Sequence, residues 1–151
     1  MLSGLKAFIL VSRQFGVNVG ANDVPEGYKT EDREVSLREL AALAQKFGLK
    51  AKAGKVNGAQ LVKLLSKRQQ LLRLDNNRYI IALRYTKEKD GSDTLLVLDP
   101  SQAGSKPQNI DVSEVKKVWH GQILLLKKKL NLSDENQEFS TSWLIGELLR
   151  N

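Results

Sequence analysis

The apolar residues of this chain change their spacing partway along, and that change limits the fold classes open to it more than any other feature. In the first third the spacing is helical. Leu5, Phe8, Ile9 and Ser12 lie on one face, widened by Leu10 and Val11, which predicts a buried helix over Ser3 to Phe15, ended by Gly16. From Gly16 to Glu34 there is no periodicity, and Gly, Asn, Asp and Pro25 predict a loop with room for a short helix. Ser36 followed by Glu39 forms a capping-box pattern, with Leu37, Leu40, Leu43, Ala44 and Phe47 as the apolar face and Gly48 as the stop. Leu49 to Ala53 then alternates like a half-buried strand, and Ala59 to Leu65 reads as a short helix.

From Gln70 onward the period is two. Leu72 to Leu74, a turn at Asp75-Asn76-Asn77 and Tyr79 to Leu83 predict a hairpin; Asp90-Gly91 turns the chain into a strand from Thr94 to Leu98, which Pro100 and Gly104 end. A helix from Ser113 to Trp119 and a strand from Gln122 to Leu126 follow. Helices first and antiparallel strands second define an α+β domain, because parallel sheets need strands and helices to alternate.

Composition removes whole classes of chemistry. The 151 residues include no Cys and a single His, His120, which excludes thiol nucleophiles, disulfides, thiolate metal sites and three-histidine metal sites. No cofactor is expected. The charge of +7 invites polyanions, but the aromatics make up 6% of the chain, too few for a base-stacking platform, and a nucleic-acid partner is not expected. The longest apolar runs, Phe8 to Val11 and Ile123 to Leu126, fall far short of the ~20 residues of a membrane helix, and the N-terminus lacks a signal-peptide pattern.

The body is expected to end near residue 130, giving a domain over 1–130 and a different segment over 131–151. Lys127-Lys128-Lys129 reads either as a solvated strand end or as a basic cluster facing anionic lipid. Beyond it, Ser133 to Glu138 is polar, and Trp143, Leu144, Ile145, Leu148 and Leu149 form an apolar helical stripe that either packs back on the domain or docks elsewhere.

Four segments together resemble the double-glycine peptidases, papain-like domains at the N-terminus of many ABC exporters. They are Ser3-Gly4-Leu5-Lys6-Ala7, Arg78-Tyr79-Ile80-Ile81, Leu98-Asp99-Pro100 and Trp119-His120-Gly121-Gln122-Ile123-Leu124-Leu125. In that family a Cys-Gly opens the first helix, a His starts a central strand, an Asp-Pro closes the next strand, and W-x-G precedes the last. The resemblance implies a papain-like cysteine peptidase fold, with N-terminal helices packed on an antiparallel sheet.

Ser3 stands where the family has Cys, Tyr79 where it has His, and Asp99 alone matches the third position. A thiolate needs an imidazole beside it and a group orienting that imidazole. A phenol of ordinary pKa is roughly 0.1% ionised at pH 7, and a serine hydroxyl is less acidic than a thiol, so this pair does not reproduce the proton transfer. The family's oxyanion-stabilising Gln lies upstream of its Cys, before the first residue here. His120, between Trp119 and Gly121 at a helix-to-strand corner, reads as a structural or surface residue.

The pattern is similar to the degenerate peptidase-like domains of the haemolysin-exporter group of type I secretion systems. It implies a cytosolic, non-catalytic domain on the inner membrane's cytoplasmic face that binds unfolded RTX toxin or adhesin polypeptide and tethers it for export. The membrane and nucleotide-binding domains of the transporter and a membrane fusion protein are the other implied partners; Phe139 and Trp143 resemble the segment leading toward the first membrane helix. Ser3, Tyr79 and Asp99 are the implied substrate-binding residues. Tyr79 has two open readings, a ring holding an extended peptide or a strand residue packing on the first helix. The alternative function is an active peptidase cutting after Gly-Gly, with its nucleophile replaced here.

Overall fold

The computed structural model describes residues 2–29, 32–101 and 104–128. Helix α1 spans Ser3–Ser12 and buries Leu5, Ala7, Phe8 and Val11. It tightens into a 3-10 turn at Arg13–Phe15 and stops at Gly16, whose φ of 76° suits the residue without a Cβ. Two further 3-10 turns, Ala21–Asp23 and Glu26–Tyr28, occupy the aperiodic stretch.

Helix α2 (Leu37–Lys46) starts on the predicted capping box. The Glu39 N–H donates to Ser36 Oγ at 3.1 Å and the Ser36 N–H to Glu39 Oε1 at 3.0 Å. Strand β1 (Leu49–Lys55) is followed by α3 (Gly58–Leu65), which has a second capping box built on Asn57 and Gln60. Reading the helix as starting at Ala59 misses that box, because the cap is Asn rather than Ser or Thr and its partner is Gln rather than Glu.

The remaining elements are β2 (Gln70–Arg73), β3 (Tyr79–Lys87), β4 (Asp93–Leu98), β5 (Gln108–Asp111), α4 (Val112–Val118) and β6 (Gln122–Lys128). Among the described residues they form one six-stranded antiparallel sheet in the order β1-β6-β2-β3-β4-β5. Strand β5 was not expected: its residues, Gln108-Asn109-Ile110-Asp111, carry no apolar alternation and pair on one side only, with β4. The hairpin is longer than its apolar core suggests, since β3 continues through Lys87 with a register shift between Ala82 and Arg84.

Both faces of the sheet are covered. Leu71, Ile81 and Leu124 point toward α1 and α2, while Leu72, Ile80, Ile123 and Leu95 join Leu61, Leu64 and Val115 of α3 and α4. Neighbours in sequence go to opposite sides because successive strand residues alternate. The near-continuous apolar run at Tyr79 to Leu83 is the mark of that two-sided burial. The expected boundary near residue 130, Phe139, and the stripe that begins at Trp143 lie outside the described residues.

Candidate functional site

The N-terminus of α1 abuts the start of β3, and a carboxylate from the preceding loop holds the two together. Ser3 Oγ donates to Glu34 Oε2 at 2.6 Å, and the Gly4 N–H donates to Glu34 Oε1 at 2.7 Å. Leu2 supplies no side-chain cap, so Glu34 takes over the role of one, accepting a first-turn N–H and placing negative charge at the positive end of the helix. Ser3 Oγ in turn accepts the Tyr79 N–H at 3.0 Å. The Ser3 hydroxyl proton and one lone pair are thus both committed.

Tyr79 is enclosed. Its ring lies against Gly4, where an added Cβ would stand 2.8 Å from Tyr79 Cε2 and 2.8 Å from Val35 Cγ2. Its hydroxyl donates to the Val35 carbonyl at 2.6 Å. Burial pushes the phenol pKa well above its ordinary value, while Arg73 pulls the other way; the group is neutral at any physiological pH. The Arg73 guanidinium sits over the ring, 5.2 Å from its centroid.

Asp99 belongs to a separate cluster. It accepts from Arg78 Nη2 at 2.8 Å, from the Ser101 N–H at 3.0 Å and from the Ser101 hydroxyl at 2.6 Å; Arg78 also donates to Ser101 Oγ. Both donors of Tyr79 are satisfied elsewhere, so the phenol has no proton left to share with Asp99. The three positions named from the sequence are therefore neighbours in the fold, but only Ser3 and Tyr79 touch.

Burial bears on two of these positions. Ser3 is 2% exposed and Tyr79 0% exposed, so neither presents a surface to a peptide. Of the two readings of Tyr79, the structure supports the strand residue packed on the first helix. The reason is steric: a Gly at position 4 lets a bulky phenol fill the space beneath α1. Asp99 is partly exposed, through a carboxylate already paired with Arg78.

His120 lies elsewhere, largely exposed, with Nδ1 2.7 Å from Asp75 Oδ2, while the neighbouring Trp119 is buried and donates from Nε1 to the Gln122 carbonyl at 2.8 Å. On the face opposite α1, a cleft of about 360 Å³ opens between α3, α4 and the sheet, lined by Leu61, Tyr85, Leu95, Val115 and Trp119. Glu34, Val35 and Arg73 were missed by sequence reasoning. Glu34 meets α1 across 31 positions from a loop without periodicity, and nothing in its local sequence announces that contact.

The fold and the order of these positions define a class. The chain belongs to the Peptidase C39 family, whose pattern matches residues 2–131. It is 28% identical over 148 residues, 98% of its own length, to the alpha-hemolysin translocation ATP-binding protein HlyB of Escherichia coli O157:H7, and spans 20% of the length of that relative. A crystal structure of a double glycine motif protease from an AMS/PCAT transporter, in complex with the leader peptide, superposes with a TM-score of 0.64 at 16% identity, covering 84% of each chain. The N-terminal peptidase C39-like domain of the toxin secretion ATP-binding protein from Vibrio parahaemolyticus superposes with a TM-score of 0.61 at 19% identity, over 85% of this chain and 98% of that one. The papain-like α+β fold expected from the sequence is the fold observed.

Proposed function

We propose that this chain is a non-cleaving C39 domain of an ABC exporter, which binds unfolded RTX toxin or adhesin polypeptide at the cytoplasmic face of the inner membrane and tethers it for export. The observation that carries the reading is the state of the two positions the family uses for chemistry. Ser3 spends its hydroxyl on Glu34 and the Tyr79 N–H, and Tyr79 is a buried neutral phenol bonded to Val35. Nucleophilic attack needs an activated, reachable nucleophile, and this arrangement offers neither. Likeness over 98% of the chain to a haemolysin-translocating ATP-binding protein supports the exporter context, including membrane and nucleotide-binding domains and a membrane fusion protein as partners.

One contact favours the alternative, a peptidase: the Ser3 hydroxyl faces a carboxylate at 2.6 Å, as a serine facing a base would. Against it, the same carboxylate holds the Gly4 N–H, and the hydroxyl is buried. Two assays separate the readings. Peptides with a Gly-Gly junction should stay intact on prolonged incubation, whereas turnover abolished by Ser3→Ala would establish the peptidase. Titration with an RTX polypeptide should give binding to its unfolded form alone; equal binding to the Ca²⁺-folded form would end the tethering reading.

A further inference from the structure

Arg73 makes no ion pair among the described residues. It stands at the end of β2 directly opposite Tyr79, and residues opposed across an antiparallel pair share a face. Its guanidinium meets the Tyr79 ring, yet its Nε is fully enclosed and has no hydrogen-bond partner. Four carboxylates of this part of the chain have other partners: Glu34 bonds Ser3 and Gly4, Glu39 Arg33, Asp99 Arg78 and Ser101, and Asp75 His120. A half-buried guanidinium with an enclosed, unpartnered nitrogen has given up hydration without a replacement. The arene below it offers a quadrupole, not a charge.

We infer that Arg73 is the carboxylate anchor for polypeptide bound on this face of the domain. The inference rests on the tethering reading and gives it a chemical preference. A planar fork of donors stacked on an aromatic ring is pre-organised for a bidentate carboxylate, which an ammonium cannot match. Ser3 and Tyr79 are buried, whereas Arg73, over the Tyr79 ring, is partly exposed and carries the charge. The carboxylate comes from an Asp or Glu side chain or from a chain terminus; both present the same two oxygens. The charge of +7 speeds encounter with such a ligand without choosing its docking point.

The test uses the full 151-residue chain and three labelled unfolded peptides: an acidic one, its Asn/Gln counterpart, and the acidic one with an amidated C-terminus. Ionic strength is kept high enough to screen long-range attraction. The wild type should bind the acidic peptide about tenfold more tightly than the Asn/Gln form, the scale of one charge-assisted hydrogen bond. In Arg73→Met that ratio should fall close to one. In Arg68→Met, which removes a cation stacked 4.4 Å from the Phe15 centroid and so controls for net charge, it should persist. The preference for the acidic over the Asn/Gln peptide marks a side-chain carboxylate; equal binding of those two with about tenfold weaker binding of the amidated one would identify the chain terminus, and equal binding of all three overturns the inference.

A preference that survives in folded Arg73→Met overturns the inference while leaving tethering intact. Failure of the wild type to bind any of the peptides overturns tethering itself. Should Arg73→Met not fold, Arg73→Lys decides: it keeps the charge and loses the fork, so a clear drop in the ratio supports the anchor and an unchanged ratio refutes it.

Discussion

Ser3 Oγ accepts the backbone N–H of Tyr79 at 3.0 Å, joining the first residue of α1 to the first residue of β3 across 76 positions of chain. In the family the sequence resembles, a Cys and a His are expected at these two positions. Here they share a structural hydrogen bond, and its loss is measurable as a change in stability.

Ser3→Ala should therefore destabilise the domain. It strands the Tyr79 N–H in a buried setting and removes a donor from Glu34, at a cost of about 1–3 kcal/mol for the unsatisfied group. Denaturant unfolding of the wild type and variant measures the difference. A neutral result would show that the bond contributes nothing net.

Gly4→Ala probes the packing above the phenol. The new methyl would approach Tyr79 Cε2 and Val35 Cγ2 to 2.8 Å each, and the ring cannot retreat without breaking its 2.6 Å bond to the Val35 carbonyl. Overpacking of this kind costs about 1–3 kcal/mol. Pairing it with Tyr79→Phe should recover part of the loss, because the ring is then free to shift. A melting temperature unchanged by Gly4→Ala would contradict the geometry.

Asp99→Asn should do little. The carboxylate serves an exposed ion pair with Arg78, and exposed pairs are worth about 0–1 kcal/mol. Unfolding curves within that range of the wild type are expected. A much larger effect would mean that Asp99 reaches inward to the Tyr79 cluster after all.

Acid sensitivity should trace in part to the start of α2. Hydrogen bonds from the Arg33 guanidinium and then from the Ser36 N–H hold the Glu39 carboxyl down, from an ordinary 4.5 to about 2. A carboxyl with a depressed folded-state pKa stabilises the fold fully above its unfolded value. That contribution is lost as pH falls from about 4.5 toward 2, where protonation weakens both bonds. Unfolding measured down through this window should steepen for the wild type relative to Glu39→Gln. Parallel curves would place the acid sensitivity elsewhere. At neutral pH, Ser36→Ala should cost about 1 kcal/mol through loss of the cap.

What the sequence disclosed and what it withheld follow the range of the interactions. The α2 cap, the stops at Gly16 and Gly48, and the hairpin around Asn76-Asn77 are local devices, readable within a few residues and observed. The order of helices and strands sufficed for the α+β class. Strand β5 escaped because an edge strand of Gln, Asn and Asp has no face to bury. The site was legible as three positions but not as an arrangement. Glu34 reaches α1 from a loop without periodicity, and the sealing of Tyr79 depends on the absence of a side chain at Gly4, a property of space rather than of any motif.

Strand β1 is an outer strand among the described residues, and its sequence, Leu-Lys-Ala-Lys-Ala-Gly-Lys, sets lysines at positions 50, 52 and 55. Outer strands tend to recruit other extended chains, and lysine side chains along the rim discourage that pairing. For the tethering role proposed above, this matters to colloidal behaviour. A domain that keeps unfolded cargo close at hand is continually offered strands to annex, and a lysine-studded rim lets it hold such chains without seeding an aggregate of cargo on its own sheet.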